Sequence, residues 1–196
     1  MRKKIFITGA SGFVGSHLVE EARRQGFEIH AAVRKTSKID DIKQFVDEFV
    51  FPDMNNVDEL ESLFQKEKYN YIIHAAAMTK AKRESDMLKV NVGYTENILK
   101  AAQTASDTLE RIVYVSSLAA IGPIEFNSAT LIAENSPYNP VTVYGRSKKA
   151  SEEMIKAKFA ASPISVLRPT AVYGPRERDL FILFDTLNKG LDPYIG

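Results

Sequence analysis

Cysteine and tryptophan are both absent from this chain of 196 residues. Without cysteine, disulfides and thiolate metal sites are excluded, and the composition suits a cytoplasmic protein. An excess of charge is also missing, because 26 basic residues stand against 25 acidic ones and leave a net charge of +1. That balance gives no electrostatic basis for binding nucleic acid or an anionic membrane surface.

Long apolar runs are missing as well, and no stretch approaches the roughly 18 residues that a membrane span needs. The basic residues at the N-terminus precede only a short apolar run that soon meets glycines, which favours a first strand over a secretion signal. The 3 histidines show no i,i+4 pair and no carboxylate cluster, so no metal site is predicted. The length suits a domain with a substantial core.

The residues that are present carry their clearest signal in the stretch Thr8–Gly15, directly after a strand-like run. Gly9, Gly12 and Gly15 are spaced three residues apart. We interpret Gly9 as permitting a tight turn, Gly12 as letting backbone N–H groups approach a pyrophosphate, and Gly15 as letting helix and strand pack closely. The helix that follows would point its unsatisfied N–H groups and positive dipole end at the phosphates. An ordinary glycine-rich turn is the alternative.

Strand-like and helix-like segments alternate along the chain. Strands are predicted over residues 5–8, 28–34, 48–51, 71–75, 111–116 and 164–167. Near-continuously apolar strands in repeated β-α-β units predict a doubly wound, Rossmann-type parallel sheet in a three-layer α/β/α fold. Asn56 and Glu59 form a capping-box pattern that begins one helix. The irregular stretch 122–143 is long enough to predict a functional loop.

Seven motifs follow one another in an order that carries a family resemblance. They are Thr8–Gly15, Asp53, His74–Ala77, Asn91, Ser116–Ser117, Tyr144–Lys148 and Arg168–Pro175. On these motifs the whole chain resembles the extended short-chain dehydrogenase/reductases, the NAD-dependent epimerase/dehydratase group. The resemblance implies an enzyme that uses a nicotinamide cofactor on a secondary alcohol or its ketone, with a nucleotide sugar as the leading substrate class.

The resemblance implies three catalytic residues: Tyr144 as general acid/base, Lys148 as its partner and Ser117 as the serine that hydrogen-bonds the substrate oxygen. Tyr144 and Lys148 lie four residues apart, so both project from one face of a helix. A phenol pKa of about 10 is too high for a base at neutral pH, and we expect the ammonium and the nicotinamide charge to lower the Tyr144 pKa. Ser116 is the competing serine. A solvated helix face is the alternative for the Tyr-Lys pair.

The cofactor-binding residues follow from the same resemblance. Lys148 is assigned to the ribose hydroxyls beside Tyr144, and Asp53 to the adenine amino group. The remaining predicted contacts, besides the three glycines, are Ser11, Phe13, Val14, Met54, Ala75, Ala76, Ala77, Asn91 and Pro169.

Cofactor preference is predicted from the end of the second strand. An acid there would grip the 2′-hydroxyl of NAD, whereas an arginine accommodates the 2′-phosphate of NADP. Arg34 occupies this region, and no acid occurs before Asp40. NADP is therefore preferred over NAD, with a solvated basic turn as the alternative explanation.

The chain is divided into a cofactor-binding domain over residues 1–175 and the start of an incomplete substrate-binding region over residues 176–196. The helix near 180–188 is apolar nearly all round, and a helix of this kind is normally buried. We therefore expect that the chain is truncated and lacks the elements that would cover this helix. The resemblance also implies a homodimer through helices around 86–105 and 144–160. Both helices carry apolar residues at helical spacing, from which we expect surplus apolar surface.

Two alternative functions stay open. One is an NADPH-dependent reductase of the dihydroflavonol-reductase or hydroxysteroid-dehydrogenase type, which Arg34 slightly favours. The other is a non-catalytic NADP-sensing protein, which would have no need of Ser117, Tyr144 and Lys148 together. No residue separates epimerisation, dehydration and reduction.

Overall fold

The computed structural model describes residues 2–104, 107–125 and 131–190. Its strands are β1 (Lys4–Thr8), β2 (Glu28–Ala32), β3 (Glu48–Val50), β4 (Tyr71–His74), β5 (Arg111–Val115) and β6 (Ile164–Leu167). Its helices are α1 (Phe13–Arg24), α2 (Val57–Glu67), α3 (Glu84–Leu88), α4 (Thr95–Thr104), α5 (Val143–Lys158) and α6 (Asp179–Asn188), with a π-helical turn over Lys89–Tyr94 and a 3₁₀ turn over Leu118–Ala120. The predicted alternation of strands and helices is confirmed.

All the strands pair in parallel within one sheet, in the order β3-β2-β1-β4-β5-β6. The carboxyl ends of parallel strands meet at one edge, and here the direction of winding reverses between β1 and β4. A crevice for ligands is expected at such a reversal. The Rossmann-type doubly wound sheet predicted from the sequence is confirmed.

Apolar side chains cover both faces of the sheet. On one face, Phe6 and Tyr114 belong to a core that α2, α4 and α5 complete. On the other face, Ile7 and Ile29 belong to a second core that includes α1. Successive strand residues point to opposite faces, so strands buried on both sides are apolar along their whole length. This gives the predicted three layers.

The start of α2 differs from the predicted capping box. The Asn56 side chain accepts a hydrogen bond from the Glu59 N–H at 3.2 Å, as expected. The Glu59 carboxylate does not return to Asn56, because it accepts from the Asp53 N–H at 3.1 Å. Glu59 therefore stabilises the turn between β3 and α2.

Apolar surface remains exposed beyond β6. Leu167 at the end of that strand is 53% exposed, and α6 has no buried residue, with Phe181 60% and Phe184 54% exposed. The helix is thus exposed although its composition is that of a buried one. Among the described residues, none of the helices combines the length and apolar character that crossing a membrane requires.

The expectation of surplus apolar surface on the helices around 86–105 and 144–160 is wrong for most of the residues that carried it. Leu99, Met154, Ile155 and Phe159 are at most 8% exposed, because they fill the core of this protomer. Leu88 is at the border of exposure, at 36%. These apolar positions explain the packing of one protomer and give no evidence for a dimer.

Candidate active site

The glycine-rich turn joins β1 to α1 at the carboxyl edge of the sheet. Gly9 adopts a φ of +68°, and its carbonyl accepts the Gly12 N–H at 2.9 Å. A Cβ on Gly15 would lie 2.0 Å from the Gly9 oxygen, and a Cβ on Gly9 would lie 2.7 Å from the Ala76 nitrogen. Glycine is required at both positions because the turn packs against its own backbone and against the segment after β4.

The N-terminus of α1 is open to an anion. Gly12 is the N-cap and offers no side-chain cap, and the first turn holds no acidic residue. The N–H groups of Phe13 and Val14 have no acceptor within the helix, as is general for a first turn. Without an acid or a side-chain cap, the positive end of the helix dipole is also uncompensated. A Cβ on Gly12 would meet only the Gly9 oxygen, at 3.2 Å. Ser11 is exposed on the same turn.

A buried hydrogen-bond chain joins the central strands to the helices. His74 Nδ1 lies 2.7 Å from Thr8 Oγ1, and His74 Nε2 lies 2.9 Å from Thr95 Oγ1. The Thr95 hydroxyl donates to the Asn91 carbonyl at 2.6 Å, so it accepts from His74 Nε2–H and leaves Nδ1 to accept from Thr8. Burial, together with the charge of Lys148, lowers the pKa of His74 to about 3. His74 is a neutral structural residue.

The segment after β4 is held on two sides. The Ala76 N–H donates to Thr8 Oγ1 at 3.1 Å. Asn91, in the π-helical turn, accepts from the Met78 N–H at 2.7 Å and donates to the Met78 carbonyl and to Ser147 Oγ, both at 2.9 Å. Both amide hydrogens and the amide oxygen of Asn91 are thus engaged by protein. Any contribution of Asn91 to cofactor binding runs through the segment 75–78 that it positions.

Asp53 and Met54 follow β3 at the same edge of the sheet. Asp53 is exposed, and its Oδ1 accepts the backbone and side-chain N–H groups of Asn55, both at 2.9 Å. These bonds hold the pKa of Asp53 below its usual range. Asn97 donates to the Met54 carbonyl at 2.8 Å. The Asp53 carboxylate is therefore ionised and accessible from solvent.

Arg34 also lies at this edge, two residues beyond the end of β2. Its side chain is exposed, and its backbone N–H donates to Ser37 Oγ at 3.0 Å within a turn. Because β2 pairs with β1, Arg34 is placed beside the strand that leads into the glycine turn.

The paired serines face in different directions. Ser116 is 2% exposed, and its hydroxyl donates to the Glu152 carboxylate. Ser117 begins the 3₁₀ turn, where its Oγ accepts the Ala119 N–H at 3.2 Å. Ser117 also lines a cleft of about 380 Å³, together with Pro169 and the start of the irregular stretch. The structure thus places Ser117, and not Ser116, in the cleft.

Tyr144 and Lys148 lie one turn apart near the start of α5. Lys148 is 1% exposed, and its Nζ donates to the Val115 carbonyl at 2.8 Å and to Tyr114 Oη at 3.3 Å. The same Nζ lies 5.9 Å from the centre of the Tyr144 ring. Burial lowers the pKa of Lys148 to about 8, and the charge of Glu152 works against that fall. Lys148 is thus a desolvated cation beside Tyr144.

The expectation of a lowered Tyr144 pKa is wrong for the protein by itself. Burial raises the pKa of Tyr144, and hydrogen bonding with Ser117 opposes the rise. The helical spacing correctly predicted that Tyr144 and Lys148 share a face. It could not predict desolvation of the phenol, which depends on packing between distant segments.

Glu152 is a residue that the sequence interpretation missed. It is 1% exposed on α5, four residues after Lys148 and therefore on the same helix face. Its carboxylate accepts hydrogen bonds from Ser116, Tyr138 and Arg168. The spacing from Lys148 was the available signal, although an acid on a helix is usually solvated.

A second group of ionisable residues was also missed. His30, Glu48 and Glu67 come from β2, β3 and the end of α2, and their potential ligand atoms lie within 4.8 Å of one another. The expected absence of carboxylates around a histidine is thus wrong. Lys4 Nζ lies 2.7 Å from Glu67 and supplies positive charge, so these residues form an ion-pair network.

Comparison with known proteins places this geometry in context. The model of the NAD dependent epimerase/dehydratase family matches residues 5–189 of the chain. A protein of Synechocystis sp., provisionally named a dihydroflavonol 4-reductase, is 33% identical over 175 residues, which cover 87% of this chain and 49% of that protein. The chain spans about half the length of the curated relatives it matches.

Two solved structures share the fold and carry NAD. The Bordetella bronchiseptica enzyme WbmG in complex with NAD is 27% identical, with a TM-score of 0.82 over 99% of this chain and 62% of that one. The Thermus thermophilus UDP-glucose 4-epimerase in complex with NAD is 26% identical, with a TM-score of 0.80 over 96% of this chain and 63% of that one.

Proposed function

The chain belongs to the NAD dependent epimerase/dehydratase family, and from that premise we propose that it binds a nicotinamide dinucleotide and acts on a secondary alcohol or its ketone. The proposed substrate class is a nucleotide sugar. The Thermus relative, a UDP-glucose 4-epimerase, supports this choice. Tyr144 is the proposed general acid/base.

One observation carries the proposal. The uncapped N-terminus of α1 and the side chains of Ser117, Tyr144 and Lys148 share the carboxyl edge of one sheet. The space beside Gly12 suits a pyrophosphate, because little besides the turn's own oxygen would meet a side chain there. A bound nicotinamide dinucleotide supplies hydride transfer at this edge.

The three side chains have distinct proposed roles. Tyr144 moves a proton between its phenolic oxygen and the substrate oxygen, while Ser117 hydrogen-bonds that oxygen from the cleft. Lys148 has three N–H donors, of which two are engaged by Val115 and Tyr114. The third is left for a ribose hydroxyl. The ammonium charge favours the phenolate over the neutral phenol when the proton departs.

We propose a preference for NADP over NAD. The exposed Arg34, at the end of β2, supports it because a guanidinium pairs with a 2′-phosphate. The solved relatives described above carry NAD. Those relatives do not support NADP, so the proposed preference for NADP rests on Arg34 of this chain.

A reductase of the dihydroflavonol-reductase type is the second candidate. The identity of 33% to the Synechocystis protein favours it, as does Arg34. An NADP-sensing protein is the candidate from outside catalysis, and it predicts cofactor binding without turnover.

The proposal is tested by calorimetric titration with NAD, NADH, NADP and NADPH, followed by incubation with candidate substrates. UDP-glucose and a dihydroflavonol represent two of the relatives described above, and dTDP-glucose is a second nucleotide sugar. NMR of the products separates an epimer, a dehydrated sugar and a reduced alcohol. Failure of the unaltered chain to bind any of the four dinucleotides would overturn the proposed function, and binding without turnover would favour the sensor.

A further inference from the structure

A buried carboxylate joins three segments behind the candidate site. The Glu152 oxygens accept Tyr138 Oη–H at 2.7 Å and Arg168 Nη2–H at 2.6 Å, and they also accept the Ser116 hydroxyl. Arg168 Nε adds contacts at 3.0 and 3.1 Å. Ser116 follows β5, Arg168 follows β6, and Tyr138 lies in the irregular stretch. One side chain of α5 therefore fixes three segments that are distant in sequence.

Each of these segments leads directly into the cleft. Ser117 follows Ser116, and Pro169 follows Arg168, and both Ser117 and Pro169 line the cleft. The stretch that contains Tyr138 ends at residue 142, the N-cap of the helix that bears the general acid/base. Arg168 also donates to the carbonyl of residue 134 at 2.8 Å, which ties the same stretch a second time.

The arrangement requires an anion. All the groups that converge on Glu152 are donors, so an amide there would direct its own N–H groups against them. A neutral residue would also leave the guanidinium of Arg168 without its counter-ion, and that guanidinium is largely buried. The negative charge additionally opposes the fall in the pKa of Lys148 that burial causes.

We propose that Glu152 is a positioning residue of this site. Its carboxylate fixes the positions of Ser117, Tyr144 and Lys148 relative to one another. It acts through its bonds to Ser116 and Arg168 and through the stretch 131–142. The inference rests on the proposed function of those three side chains. Glu152 itself lies behind the cleft and acts through its partners.

The first measurement needs neither cofactor nor substrate. Lysine labelled with ¹³C at Cε reports the titration of Lys148 by NMR, with the signal assigned from Lys148→Arg. Glu152→Gln should lower the titration midpoint of Lys148 by about one pH unit, because the nearby anion is lost. Glu153→Gln is the matched control, since Glu153 is exposed and paired with Lys149 at 3.7 Å. The control should leave the midpoint unchanged.

A double variant separates positioning from simple stability. Glu152→Gln combined with Arg168→Gln removes both charges, so it should recover much of the thermal midpoint that the single variant loses. The Lys148 titration should stay low in the double variant, and kcat should remain at least about tenfold reduced with KM changed less. If Glu152→Gln does not fold, the double variant alone carries both readouts.

The outcomes distinguish this inference from the proposed function. The positioning role is overturned if the titration midpoint of Lys148 is unchanged in folded Glu152→Gln. It is also overturned if the double variant fully recovers both the titration midpoint of Lys148 and kcat. Absence of dinucleotide binding by the unaltered chain overturns the proposed function, whatever Glu152 does to the titration.

Discussion

Lys148 Nζ donates to the Val115 carbonyl oxygen at 2.8 Å, so the last residue of β5 fixes an ammonium carried by α5. The contact sets the helix against the sheet at the edge where the cleft opens. It also means that the positive charge beside Tyr144 has a defined position before any ligand binds. This relationship underlies the expectations about catalysis and about pH.

Removing the Tyr144 hydroxyl should abolish most of the turnover. In protein that turns over substrate, Tyr144→Phe should bind cofactor nearly normally. Its kcat should fall at least about a hundredfold, since general acid/base groups contribute about 10²–10⁴-fold to the rate. Steady-state kinetics and calorimetry measure the two effects. Tyr71→Phe, which loses a hydroxyl bonded to Glu110, is the control. Retention of most activity by Tyr144→Phe on an authentic substrate would show that the site works differently.

The two serines should differ in what they affect. Ser117→Ala should reduce kcat with cofactor affinity unchanged, because Ser117 lines the cleft. Ser116→Ala should reduce kcat less than Ser117→Ala does, since the Ser116 hydroxyl bonds the buried Glu152 and acts on Ser117 only indirectly, while the bonds of Glu152 to Tyr138 and Arg168 remain. Comparison of the two kcat values checks this, and a larger effect at Ser116 contradicts the assignment.

The glycines should separate folding from cofactor binding. Gly15→Ala should lower the thermal midpoint sharply, because its Cβ would lie 2.0 Å from the Gly9 oxygen. Gly12→Ala should fold with a smaller loss, since its Cβ would meet that oxygen at 3.2 Å. The Gly12 variant should nevertheless bind dinucleotide at least about tenfold more weakly, because the pyrophosphate must approach there. Calorimetry and thermal unfolding test the pair, and normal affinity in Gly12→Ala argues against this turn as the phosphate site.

Cofactor preference should depend on Arg34. A charge-assisted pair with the 2′-phosphate contributes about 1.5–3 kcal/mol to binding. Arg34→Ala should therefore weaken the binding of NADPH by about tenfold or more and leave the affinity for NADH unchanged. Lys43→Ala, which removes an exposed cation paired with Asp40, is the control. Equal affinity of the unaltered chain for both cofactors, or a preference that survives Arg34→Ala, would exclude this role.

Stability should rise with pH because of Lys148. Its pKa is lowered from 10.5 to about 8, so between these values the unfolded state binds one more proton than the native state. The free energy of unfolding therefore increases by up to about 1.4 kcal/mol per pH unit above pH 8, and below pH 8 the full cost of the buried charge is present.

Urea unfolding at pH 7 to 9.5 measures this effect, with Lys148→Met as the comparison. The difference in the free energy of unfolding between the unaltered chain and Lys148→Met should change by about 1 kcal/mol or more over pH 8–9.5. Lys149→Met, on the neighbouring position of the same helix, should follow the unaltered chain. A difference that does not vary with pH means that Lys148 stays protonated throughout.

Assembly is a separate prediction. Association of the chain should depend on α6, since Phe181 and Phe184 are 60% and 54% exposed. Light scattering should show less association for the pair Phe181→Ser and Phe184→Ser, without loss of thermal midpoint. Leu88→Glu should leave the association unchanged. A decrease in association with Leu88→Glu, and none with the α6 pair, would contradict this prediction and locate the contact on the helices around 86–105 and 144–160.

Much of the fold was determined by the sequence alone, as was the choice of residues for the candidate site. Apolar strands that alternate with helical segments predicted the parallel sheet, because burial on both faces leaves a periodic pattern along the chain. The glycines at positions 9, 12 and 15 predicted the turn into α1, because backbone conformation at a turn depends on neighbouring residues. The spacing of Tyr144 and Lys148 predicted that both lie on one face of a helix, because residues four apart on a helix are neighbours.

Only the tertiary structure decided the environment of those residues. In the folded chain, Ser117 faces the cleft and Ser116 faces Glu152. Tyr144 and Lys148 are both desolvated by the segments that pack around them. The tertiary structure also brought His30, Glu48 and Glu67 together from three elements. Burial and charge contacts of this kind depend on segments distant along the chain. Local patterns encode them poorly, which is why the burial that raises the pKa of Tyr144 in the protein by itself was not expected and Glu152 was missed.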